Sequence, residues 1–143
     1  MKLLVLNGPN LNLLGIREPS VYGTCTYEEL TALIEEHAAA RGISVKCLQT
    51  NHEGTLVDMI QAAYFEKYDG IVLNPGAYTH TSVTLLDAVK AVGIPTVEVH
   101  ISDLSKREDF RKQSYVRAAC VKTIMGRGFQ GYLDAMDVLI DGT

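Results

Sequence analysis

Residues 2–10 read KLLVLNGPN, and this stretch decides how the chain folds. Four apolar residues, Leu3 to Leu6, form an uninterrupted run, which is typical of a strand buried on both faces of a sheet. The polar residues Asn7 to Asn10 then end the run with Gly-Pro turn chemistry. A strand buried on both faces predicts a parallel sheet that is covered by helices on both sides.

Four further apolar runs follow, and helical patterns lie between them. The predicted strands are residues 2–7, 43–49, 69–74, 95–101 and 119–125. The predicted helices are one that begins after Thr26, residues 55–67, residues 81–92, a short helix from Ser105, and residues 129–140. This alternation predicts an α/β fold with a mostly parallel sheet, built as one domain over residues 1–143.

Several residues indicate where these helices begin and end. Thr26 and Glu29 form a capping box before one helix, and Ser105 and Glu108 predict a second one. Three glycines, each after a helical pattern, are expected to end helices because glycine tolerates a positive φ: Gly42, Gly70 and Gly93.

Composition restricts the classes of function that remain. The 143 residues carry a formal net charge of −4, which argues against nucleic acid or an anionic membrane as the main partner. The cysteines, Cys25, Cys47 and Cys120, are far apart and lack metal-ligand or redox spacing. We therefore expect free thiols in a cytoplasmic protein with no signal peptide and no membrane span.

The sequence lacks the standard motifs of several chemistries. It contains no G-x-x-x-x-G-K-[ST], no G-x-G-x-x-G and no G-x-S-x-G, so neither a nucleotide fingerprint nor a nucleophile elbow is present. No lysine follows a predicted strand directly, which argues against Schiff-base catalysis.

Polar residues instead gather where the predicted strands end. Ligands bind at the carboxyl ends of the strands in such sheets, so we expect these residues to converge on one site. They include Asn7, Asn10, Arg17 and Tyr22 after the first strand, Asn51 to Glu53 after the second, Asn74 to His80 after the third, and Glu98 to Ser102 with Arg107 and Arg111 after the fourth.

Histidines at three of these ends raise the alternative of a metal site. His52, His80 and His100 follow different strands, but they lack close spacing such as H-E-x-x-H and have few carboxylates beside them. His37 lies on the apolar side of a helix, where a packing or helix-end role is expected. We predict no metal.

Acid–base chemistry on an anion explains the polar residues better. Arg17 is a candidate to lower the pKa of Tyr22 and make it a base, although a solvent-exposed Arg and a packing Tyr remain an alternative. Glu98 and His100 alternate along one strand and face the same side, so the carboxylate is suited to orient a general acid. A buried His–Glu pair without a catalytic task is the other interpretation.

Five sequence blocks together resemble the type II 3-dehydroquinate dehydratases over essentially the whole chain. They are NGPNLNLLGIREPSVYG, NHEG, LNPGAYTHTS, VEVHIS, and REDFRKQSY followed by GFQGY. The resemblance implies a flavodoxin-like three-layer sandwich with a five-stranded parallel sheet. It also implies a hydro-lyase that reversibly removes water from 3-dehydroquinate by anti elimination, giving 3-dehydroshikimate in the shikimate pathway, with no cofactor and no covalent intermediate.

The resemblance assigns roles to individual residues. Tyr22 is implied as the base, Arg17 as its support, Asn10 as the group that stabilises the enolate through a water, and His100 as the acid that Glu98 positions. The implied substrate contacts are Asn74, His80, Arg111 and the backbone amides of Ile101 and Ser102. The resemblance also implies a homo-oligomer, a dodecamer formed as a tetramer of trimers, in which Asp87 reaches the site of a neighbouring subunit.

The chain departs from the family pattern at several positions. Asp103 adds a negative charge beside the expected carboxylate cradle, Thr55 and Leu86 replace polar residues, and 117–125 diverges as a segment. Two rival interpretations remain. One is a binding module for a flavin or phosphorylated ligand, although residues 9–12 are PNLN rather than a Thr/Ser-rich loop. The other is an inactive relative that keeps the fold. Within the long first loop, Gly15 and Gly23 are predicted hinges of a lid that carries Tyr22.

Overall fold

The structure, a computed structural model, describes residues 1–22 and 24–142; Gly23, Thr143 and the side chain of Tyr22 lie outside the described part. The strands within it are β1 (Lys2–Asn7), β2 (Ser44–Gln49), β3 (Gly70–Asn74), β4 (Thr96–His100) and β5 (Lys122–Met125). The α-helices are α1 (Pro19–Tyr22), α2 (Tyr27–Arg41), α3 (Glu53–Phe65), α4 (Val83–Val92) and α5 (Gln130–Asp141), and short 3-10 turns occupy several of the loops.

The strands of the described chain form one parallel sheet in the order β2-β1-β3-β4-β5. This is the flavodoxin-like order, as predicted, and the strand order reverses between β1 and β3. Asn7 pairs with Asn74 at the last position of these two strands. The loops that follow them therefore begin side by side at the point where such sheets bind ligands.

Helices cover both faces of the sheet, as the apolar runs predict. On one face, Leu30 and Ile34 of α2 pack with Tyr132 and Met136 of α5, and all four are fully buried. On the other face, the side chains of α3 and α4 form a second core. Burial on both faces explains why β1 has no alternation of polar and apolar residues.

Most of the predicted helix ends are confirmed. The side chain of Thr26 accepts a hydrogen bond from the backbone N–H of Glu29 at 3.2 Å and caps α2. Gly42 and Gly93 end α2 and α4 with φ of 69° and 65°. The prediction for Gly70 is wrong, because this residue opens β3. A side chain there would place its Cβ 2.9 Å from Cδ2 of Leu3 and 3.1 Å from Cδ1 of Leu139, so the close packing of these leucines favours the glycine.

The predicted capping box at Ser105 is also wrong. Asp103 takes the capping position instead, since its carboxylate accepts from the backbone N–H of Ser105 at 3.0 Å and from its hydroxyl at 2.6 Å. The segment is a 3-10 turn over Leu104–Lys106 rather than the start of an α-helix. The charge of Asp103 is thereby directed to its own turn.

The long loop after β1 contains more structure than the sequence indicates. It forms a 3-10 turn at Leu11–Leu13 and then the single turn α1. Gly15 lies between them with φ of 87°, and a Cβ at this position would be 3.0 Å from the carbonyl oxygen of Thr24. The hinge role of Gly15 stays a prediction, and the other predicted hinge, Gly23, lies outside the described residues.

Candidate active site

A cleft that is partly open to solvent lies at the carboxyl ends of β1, β3 and β4. Its walls come from three loops that are distant in sequence, so the predicted convergence is confirmed for the segments after β1, β3 and β4. The predicted segment after β2, Asn51 to Glu53, does not line the cleft. Predicted site residues that line the cleft are Asn10, Arg17, Asn74, His80, His100, Ile101, Ser102 and Arg111.

The remaining predicted residues stand elsewhere. Glu98 lies behind His100 and is fully buried. Asp87 is exposed on α4 and does not line the cleft of its own chain, so the predicted reach into a neighbouring subunit stays a prediction. The side chain of Tyr22 lies outside the described part. Its backbone forms the last residue of α1, in the same loop as Arg17.

The loops after β1 and β3 touch each other across the floor of the cleft. The N–H of Gly8 donates to the carbonyl of Asn74 at 2.8 Å. A Cβ on Gly8 would stand only 2.5 Å from the carbonyl oxygen of Pro75, so a glycine is required at this crossing. This contact sets the distance between Asn10 on one loop and His80 on the other.

Asn10 is held in an unusual backbone conformation. Its φ is 71°, in the left-handed region that Asn tolerates better than most residues. Its N–H donates to Oδ1 of Asn51 at 3.1 Å, and Nε2 of Gln49 donates to the same oxygen at 3.1 Å. Asn51 and Gln49 come from the end of β2, so a strand that does not line the cleft fixes the position of Asn10.

A buried network beneath the cleft joins β1, β3 and α5. The hydroxyl of Tyr132 donates to Oδ1 of Asn7 at 2.6 Å and accepts from Nδ2 of Asn74 at 2.8 Å. Burial raises the pKa of Tyr132, so the phenol stays protonated and keeps its donor role. Oδ1 of Asn74 in turn accepts from the N–H of Gly76 at 3.1 Å. The orientation of the Asn74 amide is therefore fixed.

The His100–Glu98 pair forms the most enclosed part of the site. Nε2 of His100 lies 2.6 Å from Oε2 of Glu98, and both side chains are almost completely removed from solvent. Burial by itself would raise the pKa of Glu98. The hydrogen bond and charge of His100, with hydroxyl donors from Ser114 and Thr79, outweigh burial and lower this pKa overall. Glu98 is therefore an ionised carboxylate in direct contact with His100.

His80 also lines the cleft, and its pKa is lowered. Burial is the main cause of the lowered pKa; the hydrogen bond to the backbone of Gln113 opposes this shift, and electrostatic interactions with His100 and Arg111 add to it. Its Nδ1 lies 2.6 Å from the carbonyl oxygen of Gln113, and because a carbonyl only accepts, Nδ1 carries the proton. The neutral ring leaves Nε2 as an acceptor for a hydroxyl group.

Arginines give the cleft a positive potential despite the acidic chain. Arg17, Arg107 and Arg111 all line it. Glu18 lies 3.7 Å from Arg17 and 4.0 Å from Arg107, so one carboxylate links the loop after β1 with the turn after β4. Sequence reasoning noted Arg107 near the site but assigned it no role. A concentration of guanidinium groups is suited to a small anion with carboxylate or hydroxyl groups.

The turn that holds Ile101 and Ser102 is fixed by the loop after β5. The carbonyls of Ile101 and Ser102 accept from the N–H groups of Gly128 and Gly126 at 3.1 Å and 3.2 Å. Residues 126–128 therefore support the predicted carboxylate cradle, although in the sequence they form only a fragment of a glycine motif.

Within residues 1–22 and 24–142, no cluster of three or more His, Cys, Asp or Glu side chains is arranged to hold a metal ion. No helix in the same part of the chain is long and apolar enough to cross a membrane. Cys25, Cys47 and Cys120 are free thiols.

The fold and the cleft together define a flavodoxin-like α/β protein with a candidate active site at the carboxyl ends of its strands. The profile of the family described as "Dehydroquinase class II" matches residues 1–140. The chain belongs to this family, and the sequence-based prediction of a hydro-lyase of the dehydroquinate dehydratase class is confirmed at that level.

Individual relatives agree with this assignment. The chain is 52% identical over 139 residues to the 3-dehydroquinate dehydratase of Clostridium perfringens, covering 97% of this chain and 96% of that protein. It is similar to the crystal structure of a type II dehydroquinase from Butyrivibrio crossotus with a TM-score of 0.97 and 50% identity, covering 98% and 97% of the two chains. A type II dehydroquinase from Propionibacterium acnes gives 0.94 at 39% identity, covering 98% and 96%.

Proposed function

We propose that this enzyme converts 3-dehydroquinate reversibly into 3-dehydroshikimate by anti elimination of water through an enolate. The observation that carries the proposal is the cleft itself, in which His100, supported by ionised Glu98, stands among Asn10, Asn74 and His80 beside three arginines. This elimination is a step of the shikimate pathway to aromatic amino acids, and we propose that it takes place in the cytoplasm.

The chemistry requires three kinds of group. Removing the proton beside a ketone requires a base, the developing enolate oxygen requires hydrogen-bond donors, and the departing hydroxyl requires an acid. Tyr22 is the proposed base, and Arg17, which lines the cleft, is proposed to stabilise the phenolate. Asn10 is proposed to stabilise the enolate through a water molecule.

His100 is the proposed acid. Since Glu98 occupies Nε2, the other ring nitrogen, Nδ1, is left for the substrate. The ionised carboxylate favours the imidazolium form, which then gives its Nδ1 proton to the leaving hydroxyl group. Because water leaves as a neutral molecule, the step requires neither a metal ion nor a covalent intermediate.

Binding groups complete the proposal. Neutral His80, fixed Asn74 and Arg111 are each proposed to contact a hydroxyl group of the substrate. The backbone amides of Ile101 and Ser102 are proposed to hold the substrate carboxylate. Their support is their common presence in one cationic cleft and the tautomer that Gln113 imposes on His80.

The proposed assembly is a dodecamer, a tetramer of trimers, in which Asp87 reaches a neighbouring subunit's site. On α4, Asp87 is exposed and Val83, one helical turn earlier, is 50% exposed, so this helix offers a polar and apolar contact surface. Light scattering should give about twelve times the chain mass of 15.7 kDa. A monomer that retains full activity would contradict this part of the proposal.

The direct test is the appearance of the ultraviolet absorbance of the conjugated enone when 3-dehydroquinate is added. Wild type should form product, and Tyr22→Phe should lower kcat by about a thousandfold while still binding substrate, because only the base is lost. Tyr64→Phe is the matched control, since Tyr64 is 57% exposed on α3. Near-normal turnover in Tyr22→Phe would contradict the phenolate mechanism, and a wild type without turnover would contradict the function.

Schiff-base chemistry predicts a different result in the same assay. Borohydride added with substrate should leave the activity intact, because no imine forms. Trapping of substrate on a lysine would contradict the proposed mechanism.

A further inference from the structure

Arg117, which does not line the cleft, contacts Glu98 of the His100–Glu98 pair. It belongs to the 3-10 turn Val116–Ala119, which comes just before β5. Its Nε donates to Oε1 of Glu98 at 3.2 Å, whereas His100 is bound to the other oxygen, Oε2. Arg117 and His100 thus contact one fully buried carboxylate through different oxygens.

Every oxygen of Glu98 is held by donors. Oε2 accepts from Thr79 at 2.7 Å and from Ser114 at 2.6 Å in addition to His100. Oε1 accepts from Thr123 at 3.0 Å in addition to Arg117. A carboxylate with so many donors cannot rotate away from the imidazole. Among the described residues, only Arg117 brings a permanent charge to Oε1, because a guanidinium does not lose its proton in proteins.

The position of Arg117 has a cost that requires an explanation. Its Nη2 is buried and finds no hydrogen-bond partner among the residues that the structure describes. Leaving a charged donor unsatisfied is unfavourable, so packing alone does not account for the placement of this side chain. The charge that it brings to Glu98 does.

The other charged and titratable groups near the pair are few in the described part of the chain. His80 and Arg111 face His100 from the cleft, and Arg17 and Arg107 line the same wall. Burial, together with the negative charge of Glu98, raises the pKa of Cys120 to about 12, so this thiol adds no charge. Arg117 is therefore the cation placed directly on the carboxylate that supports the proposed acid.

We propose that Arg117 is a positioning residue that acts through Glu98 to weaken the hold of this carboxylate on the proton of His100. Because Glu98 divides its charge between two cations, it stabilises the imidazolium less than a pair without Arg117 would. His100 then releases its proton more readily to the leaving hydroxyl. The catalytic part of this inference rests on the proposed function, whereas the electrostatic part does not.

The experiment follows the protonation of His100 directly, by NMR titration of the isotopically labelled imidazole in the intact protein. Arg117→Gln removes the charge, and the midpoint of the His100 titration should rise by about half to one pH unit. Arg117→Lys restores a cation and should bring the midpoint back towards the wild-type value. Thr123→Val is the matched control: it removes a neutral donor from the same oxygen and should shift the midpoint much less.

Turnover supplies the second readout. With 3-dehydroquinate, Arg117→Gln should lower kcat several-fold at neutral pH, move the basic limb of the pH–rate profile upward and leave KM nearly unchanged. A purely structural role would lower stability without moving the titration midpoint. The electrostatic result stands on the NMR titration alone, so a wild type without turnover would overturn the proposed function and not the link between Arg117 and His100.

Arg117→Ser is the second variant in case the Gln variant does not fold, because serine is small and suited to a partly exposed turn. A folded variant with an unchanged His100 midpoint overturns the proposal, and so does a Lys variant that behaves like the Gln variant. If neither uncharged variant folds, Arg117 is a structural residue and the proposal is overturned as well.

Discussion

Nε2 of His100 and Oε2 of Glu98 lie 2.6 Å apart in a region from which solvent is almost completely excluded. The carboxylate is held so firmly by other donors that its position does not depend on His100. In the proposed mechanism, the pair provides an acid whose orientation and charge are both set before the substrate arrives, which is the kind of preorganisation that lowers a barrier.

Glu98→Gln should remove the negative charge beside His100 while keeping the size of the side chain. We expect kcat to fall by about a hundredfold with little change in KM, because the neutral amide no longer favours the imidazolium. Glu36→Gln, at an exposed position on α2, is the matched control. Steady-state kinetics at neutral pH decide the matter, and a variant with wild-type kcat would show that Glu98 has no role in turnover.

The same variant has a pH-dependent effect on stability. Because the pKa of Glu98 is lowered in the folded state, its contribution to the free energy of unfolding is present above its unfolded pKa, near ~4.3, and is lost as the pH falls through the folded value. Urea unfolding should show Glu98→Gln destabilised by about 3 kcal/mol at pH 7, with the difference shrinking as the pH is lowered below about 4. A constant difference across this range would contradict the ionised state of Glu98.

Tyr132→Phe tests the network beneath the cleft. Loss of the hydroxyl leaves Oδ1 of Asn7 and Nδ2 of Asn74 without their partner. We expect a destabilisation of about 1–3 kcal/mol, the cost of buried unsatisfied groups, and a raised KM because the Asn74 amide is free to rotate. Tyr64→Phe, at an exposed position, should leave both the free energy of unfolding and KM unchanged. Equal behaviour of the two variants would show that the Tyr132 network supports neither stability nor substrate binding.

Gly8→Ala tests the crossing of the loops after β1 and β3. The new Cβ would meet the carbonyl oxygen of Pro75 at 2.5 Å, so the loops must separate and the cleft widens. We expect lower stability and a large loss of kcat/KM. Gly54→Ala is the matched control: nothing lies within 4 Å of its Cβ in α3, and the change should stabilise the helix by up to about 1 kcal/mol. A fully active Gly8→Ala enzyme would contradict the proposed geometry.

The sequence predicts the fold well because the apolar runs and helix patterns are local signals. The run from Leu3 to Leu6 has no polar position, which is typical of a strand buried on both faces. The error at Gly70 has a different origin, since the glycine is favoured by the close packing of Leu3, a residue 67 positions earlier in the chain. The error at Ser105 arose because Asp103, two residues earlier, competes for the same backbone N–H.

The cleft is predictable for the same reason as the fold, since parallel strands bring their carboxyl ends together. What supports the cleft is not predictable, because the supporting contacts join distant segments. Tyr132 is 58 residues from Asn74, and Asn51 is 41 residues from Asn10. The link between Arg117 and Glu98 likewise depends on β4 and the turn before β5 lying side by side.

The central claim is that proton removal and loss of water are separate steps served by different residues. NMR of 3-dehydroquinate in deuterated water measures both, as exchange of the proton beside the ketone and as formation of the enone. We expect His100→Gln to lose dehydration by at least about a hundredfold yet retain exchange, and Tyr22→Phe to lose both. His52→Gln, at an exposed position outside the cleft, should behave as wild type. Exchange that persists in Tyr22→Phe, or normal dehydration in His100→Gln, would contradict the account.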